Sequence, residues 1–405
     1  LTILGDRPDP EASWLESRAA LQQGKFNEAA AALKAAGTYR NQHPLESDPS
    51  SFVGETRCTS CHPRIAHLAR SSRHTRTLIR GDALTNLPYP DHPIPDPDLP
   101  NVSHAFRREK QQVRFETRQN DRVQSAIVAY AFGSLDRYFS LVGPDDSGHP
   151  YILRLSHYDT GRDAGWLRTT GHTADASGGN DFLGKALDAV DGIQKCLFCH
   201  ATDPKAVIDH SGPVANDRAI GCERCHGPGG NHLLAVAAKF PDLAIANATE
   251  ATAAGRLRVC GQCHSYHQEL ALPRTDPFWI RFQGTALPWS RCYTESGGAF
   301  DCMTCHDPHH DSDRSDAQYN ERCLSCHAGD RSDPKLGATR RPKRLAGRLA
   351  GTEHEESGGG PTCPINPSHG CVACHMPPFQ SKPIHATFTD HYIRVHPERT
   401  AQSGK

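Results

Sequence analysis

Hydrophobic periodicity predicts a helical hairpin near the start of the chain. Between residues 11 and 36, alanine, leucine and phenylalanine recur at three- and four-residue spacing on both sides of Gly24. Positions with this spacing share one face of a helix, so the pattern is typical of amphipathic helices. A glycine between the two runs favours a turn. We therefore predict two short helices.

A period of two marks the middle of the chain, residues 104–157, which contain no cysteine. Apolar residues alternate at 113–115 and again at 151–155, as expected for half-buried strands. Residues 126–130 are continuously apolar and predict a more buried strand. We predict three to five antiparallel strands here.

The composition leaves little material for an apolar core. Hydrophobic residues make up 37% of the 405 residues, whereas Gly and Pro number 34 and 30. The basic and acidic counts, 45 and 46, nearly cancel, so no nucleic-acid partner is indicated. The sequence has no run of 18 apolar residues, so no membrane span is predicted. The unusual counts are 16 cysteines and 25 histidines.

Fourteen cysteines form seven C-x-x-C pairs, and a histidine follows each pair directly. C-x-x-C-H is the attachment motif of c-type haem. Two thiols one helical turn apart can bond both vinyl groups of one porphyrin, and the histidine then ligates the iron. Zinc or disulfides are the alternative, but neither requires a histidine after every pair. We predict seven haem c groups, at Cys58-Cys61-His62, Cys196-Cys199-His200, Cys222-Cys225-His226, Cys260-Cys263-His264, Cys302-Cys305-His306, Cys323-Cys326-His327 and Cys371-Cys374-His375.

Six of the motifs fall within residues 196–375, about 30 residues for each haem. So short a stretch cannot form a core of its own. We therefore predict a mainly α fold with extensive loops, in which the haems form the core. A small antiparallel β subdomain and the N-terminal helical hairpin complete it.

Eighteen histidines remain for the opposite faces of the haems. Met303 and Met376 lie inside or directly behind a motif and are poorly placed to ligate, so we predict mainly bis-histidine iron. His232 and His309 follow their own proximal histidine too closely to fold back onto the same iron, so we expect each to ligate a neighbouring haem. The candidate distal ligands are His74, His104, His172, His232, His309, His385 and His391, with His67, His210 and His267 as competitors of His104.

Cys292 and Cys363 lie outside the motifs. A disulfide between them suits an oxidising compartment, and two buried free thiols are the alternative. Residues 331–360 contain a basic cluster that is either a solvated loop or a docking patch for an acidic redox partner.

The predicted organisation has four parts. They are a helical hairpin (1–50), the first haem segment with a Pro-rich linker (51–103), the β-rich subdomain (104–170), and a six-haem core with the C-terminal tail (171–405).

Several stretches resemble multihaem c-type cytochromes, a group that includes the tetrahaem electron carriers of nitrifiers. They are Ser72-Arg73-His74, residues 221–229 and residues 305–309. Residues 374–377, followed by 388–391, are similar to larger multihaem cytochromes with tetratricopeptide segments. Residues 24–30 likewise resemble a tetratricopeptide unit, here a remnant, a cap or a docking hairpin.

The resemblance covers roughly residues 52–396 and implies electron transfer outside the cytoplasm. It also favours His74, His232, His309 and His391 as ligands. Ammonia-forming nitrite reductases carry a C-x-x-C-K motif, which this chain lacks. Hydroxylamine-oxidising relatives carry eight haems rather than seven.

Three functions remain open at this point. An electron carrier with redox partner proteins is favoured over an enzyme. The alternatives are a reductase of a small nitrogen or sulfur oxide with one open-site haem, and a subunit of a conducting filament or a larger redox complex. Because c-type haem is attached outside the cytoplasmic membrane in bacteria, we expect a periplasmic or extracellular protein whose signal peptide has been removed.

Overall fold

The computed structural model describes residues 9–45, 49–134, 137–159, 165–175, 182–188, 191–215, 219–312, 315–327, 363–381 and 386–396. The chain divides into two compact units, Leu1–Thr249 with Ser381–Ala386, and Glu250–Gln380 with Thr387–Lys405. The first unit carries three of the seven motifs and the second carries four.

The helices of the described residues are short, and seven of the fifteen end at or beside a motif. They are α1 (Pro10–Gln22), α2 (Phe26–Ala36), α3 (Tyr39–Gln42), α4 (Glu55–Cys61), α5 (Pro63–Ser71), α6 (Gly192–His200), α7 (Pro204–Ile208), α8 (Cys222–His226), α9 (Gly230–Ala238), α10 (Ala253–His264), α11 (Gln283–Ala286), α12 (Arg291–Thr294), α13 (Cys302–Cys305), α14 (Asp316–His327) and α15 (Cys371–His375). Short 3₁₀ turns join several of them, at Arg73–Arg76, Gly81–Asn86, Pro277–Arg281 and Leu287–Trp289.

The strands of the described residues are β1 (Leu78–Arg80), β2 (Ile94–Pro95), β3 (Val102–Glu109), β4 (Gln112–Gln119), β5 (Arg122–Ile127), β6 (Tyr130–Ser134), β7 (Tyr138–Pro144), β8 (Pro150–Tyr158), β9 (Gly165–Arg168), β10 (Gly184–Ala186), β11 (Pro378–Ser381) and β12 (Ala386–Thr389). Helices and strands are therefore mixed along the described chain.

The predicted hairpin corresponds to α1 and α2. The Asp9 carboxylate caps α1 by accepting a hydrogen bond from the Glu11 N–H, and Pro10 occupies the first turn. Gly24 lies between the helices with φ +73°, a conformation that glycine adopts without strain. Leu21 and Ala29 pack against residues 235–244, which include the end of α9.

The β subdomain consists of two antiparallel sheets that share one core. One sheet has the order β1-β6-β7-β8-β10, with β9 also paired to β8, and the other has the order β2-β3-β4-β5. Phe115 of β4, Phe139 of β7 and Leu153 of β8 are fully buried together. The alternating residues at 113–115 and 151–155 do supply inward-facing side chains, but the strands extend beyond residues 104–157 at both ends.

Residues 126–130 are not the single buried strand that their apolar run predicts. The run contains the end of β5 and the start of β6. The Val128 N–H bonds to the Val113 carbonyl in one sheet, and the Ala129 N–H bonds to the Val142 carbonyl in the other. The prediction is wrong because the chain passes between the sheets here, where a buried crossing is as apolar as a strand.

The sheet with the order β1-β6-β7-β8-β10 positions the second haem motif. Leu197 and Ala201, in and directly after α6, pack against Phe132 of β6 and Val142 of β7. In the second unit, α13 packs on α10 and α14, and α14 also packs on α15. None of the helices in the described ranges combines the length and apolar composition that a bilayer crossing needs.

Candidate haem-binding sites

All seven motifs adopt the local structure that covalent haem attachment requires. Both cysteines of each motif lie in one helix, one turn apart, and the histidine is the last residue of that helix or follows it directly. The helices are α4, α6, α8, α10, α13, α14 and α15, in motif order. Each motif can therefore present two thiols and an imidazole to one porphyrin.

Backbone carbonyls orient three of the motif histidines. The Nδ1 atoms of His200, His226 and His375 lie 2.9, 2.8 and 3.0 Å from the carbonyl oxygens of Thr77, Ala246 and Arg394, respectively. An N–H that donates from Nδ1 selects the tautomer whose Nε2 carries the lone pair. That is the usual arrangement of a metal-ligating histidine, and it fixes the ring plane as well.

His232 lies beside the histidine of the first motif. The ring centroids of His62 and His232 are 6.3 Å apart, with 25° between their planes. Two imidazoles that bind one metal ion through nitrogen, each at about 2.0–2.1 Å, place their ring centres a little over about 6 Å apart. The His232 Nδ1 donates to the Leu243 carbonyl at 2.7 Å, so the tautomer again suits ligation through Nε2.

A second pair has the same spacing in the second unit. The ring centroids of His306 and His391 are 6.3 Å apart, and the His391 Nδ1 donates to the Thr389 carbonyl at 2.9 Å. Burial lowers the pKa of His306, and burial together with the nearby His306 and His264 lowers the pKa of His391 to about 4. Both rings are therefore neutral at pH 7, which is the form that binds a metal.

The structure describes three other candidates through their hydrogen bonds. His74 lies in a 3₁₀ turn, and its carbonyl accepts a hydrogen bond from the Ile220 N–H, two residues before the third motif. The His309 Nδ1 bonds to the Asp307 carboxylate at 3.1 Å. Both nitrogens of His172 lie 3.1 Å from backbone carbonyls, those of Thr169 and Ile152. His385 lies outside the described residues.

His104 is buried in the β subdomain rather than beside a motif. Its Nε2 lies 2.8 Å from the Asp96 carboxylate, and its Nδ1 lies 2.9 Å from the Thr117 hydroxyl. The Arg154 guanidinium also pairs with Asp96, at 2.9 Å, and all three charged or polar side chains are fully buried. Both ring nitrogens of His104 are thus engaged within the protein, as are both of His172, so we do not include either histidine in the ligand set proposed below.

Buried polar side chains connect pairs of motifs in the first unit. The Glu223 carboxylate, inside the third motif, accepts hydrogen bonds from the N–H groups of Val53 and Gly54 at 2.9 Å, directly before α4 of the first motif. The Thr202 hydroxyl, two residues after the second motif, accepts a hydrogen bond from the Gly221 N–H at 2.8 Å, directly before the third.

The second unit has the same kind of connection. Arg256 of α10 pairs with Asp301, which caps the helix of the fifth motif, and both side chains are about 5% exposed. Asn320 of α14 accepts a hydrogen bond from the Cys371 N–H at 2.9 Å, at the start of the seventh motif. These contacts hold the fourth motif next to the fifth, and the sixth next to the seventh.

Cysteine thiols from different motifs also meet. Hydrogen bonds join Cys260 to Cys302, which strongly raises the pKa of Cys302, and Cys323 to Cys371. Burial raises the pKa of Cys305 to about 11 and, with neighbouring thiols, that of Cys323 to about 12. The thiols of Cys302, Cys305 and Cys323 are therefore protonated at neutral pH.

Cys292 and Cys363 are free thiols, so the predicted disulfide is wrong. Each lies among other cysteines instead. Cys292 lies near Cys305 and Cys323, and Cys363 lies near Cys371. The alternative of two free thiols fits this placement. The basic cluster at 331–360 lies outside the described residues.

A cavity of about 620 Å³ follows the fourth motif along the chain. Aromatic rings of Tyr266, Trp279 and Trp289 line it, together with the Arg274 guanidinium and the Glu269 carboxylate. The pattern of hydrophobic residues does not predict it, because most of its lining residues come from loops and 3₁₀ turns without periodicity.

The chain resembles multihaem cytochromes in comparisons with known proteins as well. Over 191 residues the chain is 27% identical to the multiheme cytochrome MtrA of Shewanella baltica. The matched stretch covers 36% of this chain and 55% of that protein. The chain therefore spans about half the length of this curated relative. No protein-family model matches the chain, and no solved structure is detectably similar to it. The similarity supports a multihaem cytochrome with c-type haem and a role in electron transfer, and it extends no further.

Proposed function

We propose that the chain is a heptahaem c-type cytochrome that carries electrons through closely spaced, mainly bis-histidine haems. The single observation that carries this proposal is the spacing of the histidine pairs. His62 with His232, and His306 with His391, stand 6.3 Å apart, and each pair joins a motif histidine to one distant in sequence.

The residues present fit such a cofactor. The cysteines of each motif would hold the porphyrin edge, and the motif histidine would ligate the iron. His232 and His391 would complete ligation at the first and fifth haems. A bound c-type haem would supply an iron that takes up and releases one electron at a time.

The protein supplies orientation and spacing. Carbonyl oxygens of Thr77, Ala246 and Arg394 hold motif histidines in one tautomer. Glu223 and Asn320 hold neighbouring motifs at hydrogen-bonding distance. Haems attached to motifs in such contact would lie close together, which is the condition for rapid electron exchange between them. We further propose that these packed haems form the core that the apolar residues are too few to supply.

Redox partner proteins outside the cytoplasm would deliver and receive the electrons. This location follows from the chemistry of c-type haem attachment in bacteria, which is performed beyond the cytoplasmic membrane.

Low-temperature electron paramagnetic resonance of the oxidised protein tests the proposal. Bis-histidine ligation predicts that low-spin ferric haem dominates the spectrum. A spectrum dominated by high-spin haem would contradict it, because most irons would then lack a second strong ligand.

A reductase is the second candidate, and the cavity near the fourth motif favours it. Tyr266 and Arg274 line that cavity, and a reductase for a small oxyanion needs a proton donor and a cation beside an open site. The protein is first reduced and then freed of dithionite. Reduction of nitrite or sulfite by this protein would support the candidate. Unchanged haem spectra after addition of these anions would contradict it.

A further inference from the structure

One loop orients histidines of two different haem sites. Residues 240–246, here called the carbonyl loop, present the Leu243 oxygen to His232 Nδ1 at 2.7 Å and the Ala246 oxygen to His226 Nδ1 at 2.8 Å. The Ala246 N–H also donates to the His226 carbonyl at 2.9 Å. The loop therefore fixes the distal histidine at the first motif and the motif histidine at the third.

The loop has a conformation that needs support. Ala244 is fully buried with φ +50°, in the left-handed region. For a residue other than glycine this conformation is unfavourable. The Asp242 carboxylate accepts a hydrogen bond from the Ala244 N–H at 2.7 Å and so stabilises the turn.

Asp242 is held in turn by two N-terminal helices, α1 and α3. Arg18 of α1 pairs with one carboxylate oxygen at 3.0 Å, and Arg40 of α3 pairs with the other. Arg40 also donates to the Ile245 carbonyl in the same loop. The Arg18 side chain is fully buried, and its guanidinium lies 3.7 Å from the centre of the Trp14 ring. These are well-shielded contacts, in which the loss of either guanidinium has a large effect.

We propose that Arg18 and Arg40 are positioning residues for two haems, so that α1 and α3 set the reduction potentials of the first and third haems. The proposal rests on the proposed function, since it assumes that His232 and His226 ligate iron. A hydrogen bond from Nδ1 to a carbonyl makes the imidazole a more basic ligand. A more basic ligand favours ferric iron, so a loosened carbonyl loop raises the potentials of these two haems.

The test replaces both arginines by lysine, because Arg18→Lys and Arg40→Lys keep the charge but lose the planar fork. Keeping the charge removes the direct Coulomb effect on the potentials. Arg107→Lys is the matched control, since Arg107 is 60% exposed in the β subdomain and pairs with Glu116. Redox titration of the full haem-loaded chain, followed in the visible spectrum and by low-temperature paramagnetic resonance, gives the readout.

In the double variant we expect two of the seven components of the redox titration to become easier to reduce. Their equilibrium constants for reduction should rise about tenfold, which corresponds to about 59 mV for one electron. Their low-spin g values should shift too, because the rings turn, whereas the other five components and the control stay as in the wild type. Seven unchanged components in a folded double variant would overturn the proposal.

If the double variant does not fold, Asp242→Glu carries the same test at unchanged charge. The added methylene moves the carboxylate away from the Ala244 N–H and the Arg18 guanidinium, and it leaves both arginines in place. Selective displacement of the same two components supports the proposal, and a uniform displacement of all seven overturns it. Should the wild type itself show no low-spin bis-histidine haem, the proposed function fails instead of this inference.

Discussion

The Glu223 carboxylate, inside the third haem motif, accepts a 2.9 Å hydrogen bond from the Gly54 N–H, directly before the helix of the first motif. The same carboxylate accepts hydrogen bonds from the N–H groups of Val53 and Gly229. Gly54 has φ +83°, and a Cβ there would lie 2.9 Å from the Pro213 carbonyl oxygen. The contact therefore needs a glycine on one side and a side chain with two acceptor oxygens on the other.

Replacement of this carboxylate should loosen the first unit. Glu223→Gln leaves one acceptor oxygen and turns an NH₂ group toward backbone N–H donors. We expect the free energy of unfolding to fall by about 1–3 kcal/mol, the usual cost of leaving buried polar groups unsatisfied. Guanidinium unfolding followed by circular dichroism measures it. Glu28→Gln, at a position 68% exposed, is the control and should change stability by less than about 0.5 kcal/mol.

The buried ion pair between Arg256 and Asp301 should contribute more to the stability of the fold than an exposed ion pair does. Arg256→Met leaves the Asp301 carboxylate buried without its cation, and we expect a loss of about 3–5 kcal/mol. The double variant Arg256→Met, Asp301→Asn should recover part of this loss, since the neutral amide can still cap α13. The exposed pair between Arg291 and Glu295 supplies the control, Arg291→Met, whose expected cost is under about 1 kcal/mol. Equal losses in the two single variants would show that burial does not decide the effect.

Removal of a distal histidine should convert one haem to high spin. His232→Ala and His391→Ala each remove one proposed ligand, so each should add one high-spin ferric signal, and added imidazole should reverse it. His104→Gln and His172→Gln should add none, because the structure bonds both rings within the β subdomain. A high-spin signal in either glutamine variant would return that histidine to the ligand set.

The His104 network should give the β subdomain a pH dependence. Burial lowers the pKa of His104, although the hydrogen bond to Asp96 opposes the shift. The folded state therefore favours neutral His104, and its contribution to stability is full above the unfolded pKa of about 6.5. That contribution is lost as the pH falls below about 6.5 toward the folded pKa.

Denaturant unfolding between pH 7.5 and 5.5 tests this dependence. The stability difference between the wild type and His104→Gln should shrink as the pH falls. His92→Gln, at a side chain that is 76% exposed, should follow the wild type at every pH. A constant difference between wild type and His104→Gln would contradict the assigned role of the neutral ring.

The sequence reveals the local structure of the motifs, because the chemistry of haem attachment forces i and i+3 thiols onto one helical turn. The hairpin, too, follows from periodicity and Gly24 alone. Periodicity misleads at residues 126–130, where an apolar run marks a crossing between sheets. It cannot distinguish a ligand histidine from a structural one, so His104 resembles His232 in the sequence but lies in a polar network.

Other features have no side-chain signal at all. Leu243 and Ala246 orient histidines through their backbone carbonyl oxygens. Every residue has such an oxygen, so the sequence does not mark these two positions. The pairing of His306 with His391 joins segments 85 positions apart, and only the folded chain shows which of 18 spare histidines arrives there. Glu223 resembles any charged residue inside a C-x-x-C loop until its three N–H partners are known.

The mass of the intact chain tests the central claim most directly, since that claim is seven covalent haems on seven complete motifs. The expected mass, after denaturation and removal of free cofactor, is that of the chain plus seven haem groups. A mass that corresponds to fewer than seven, in protein matured by a cell competent for c-type haem attachment, would contradict it.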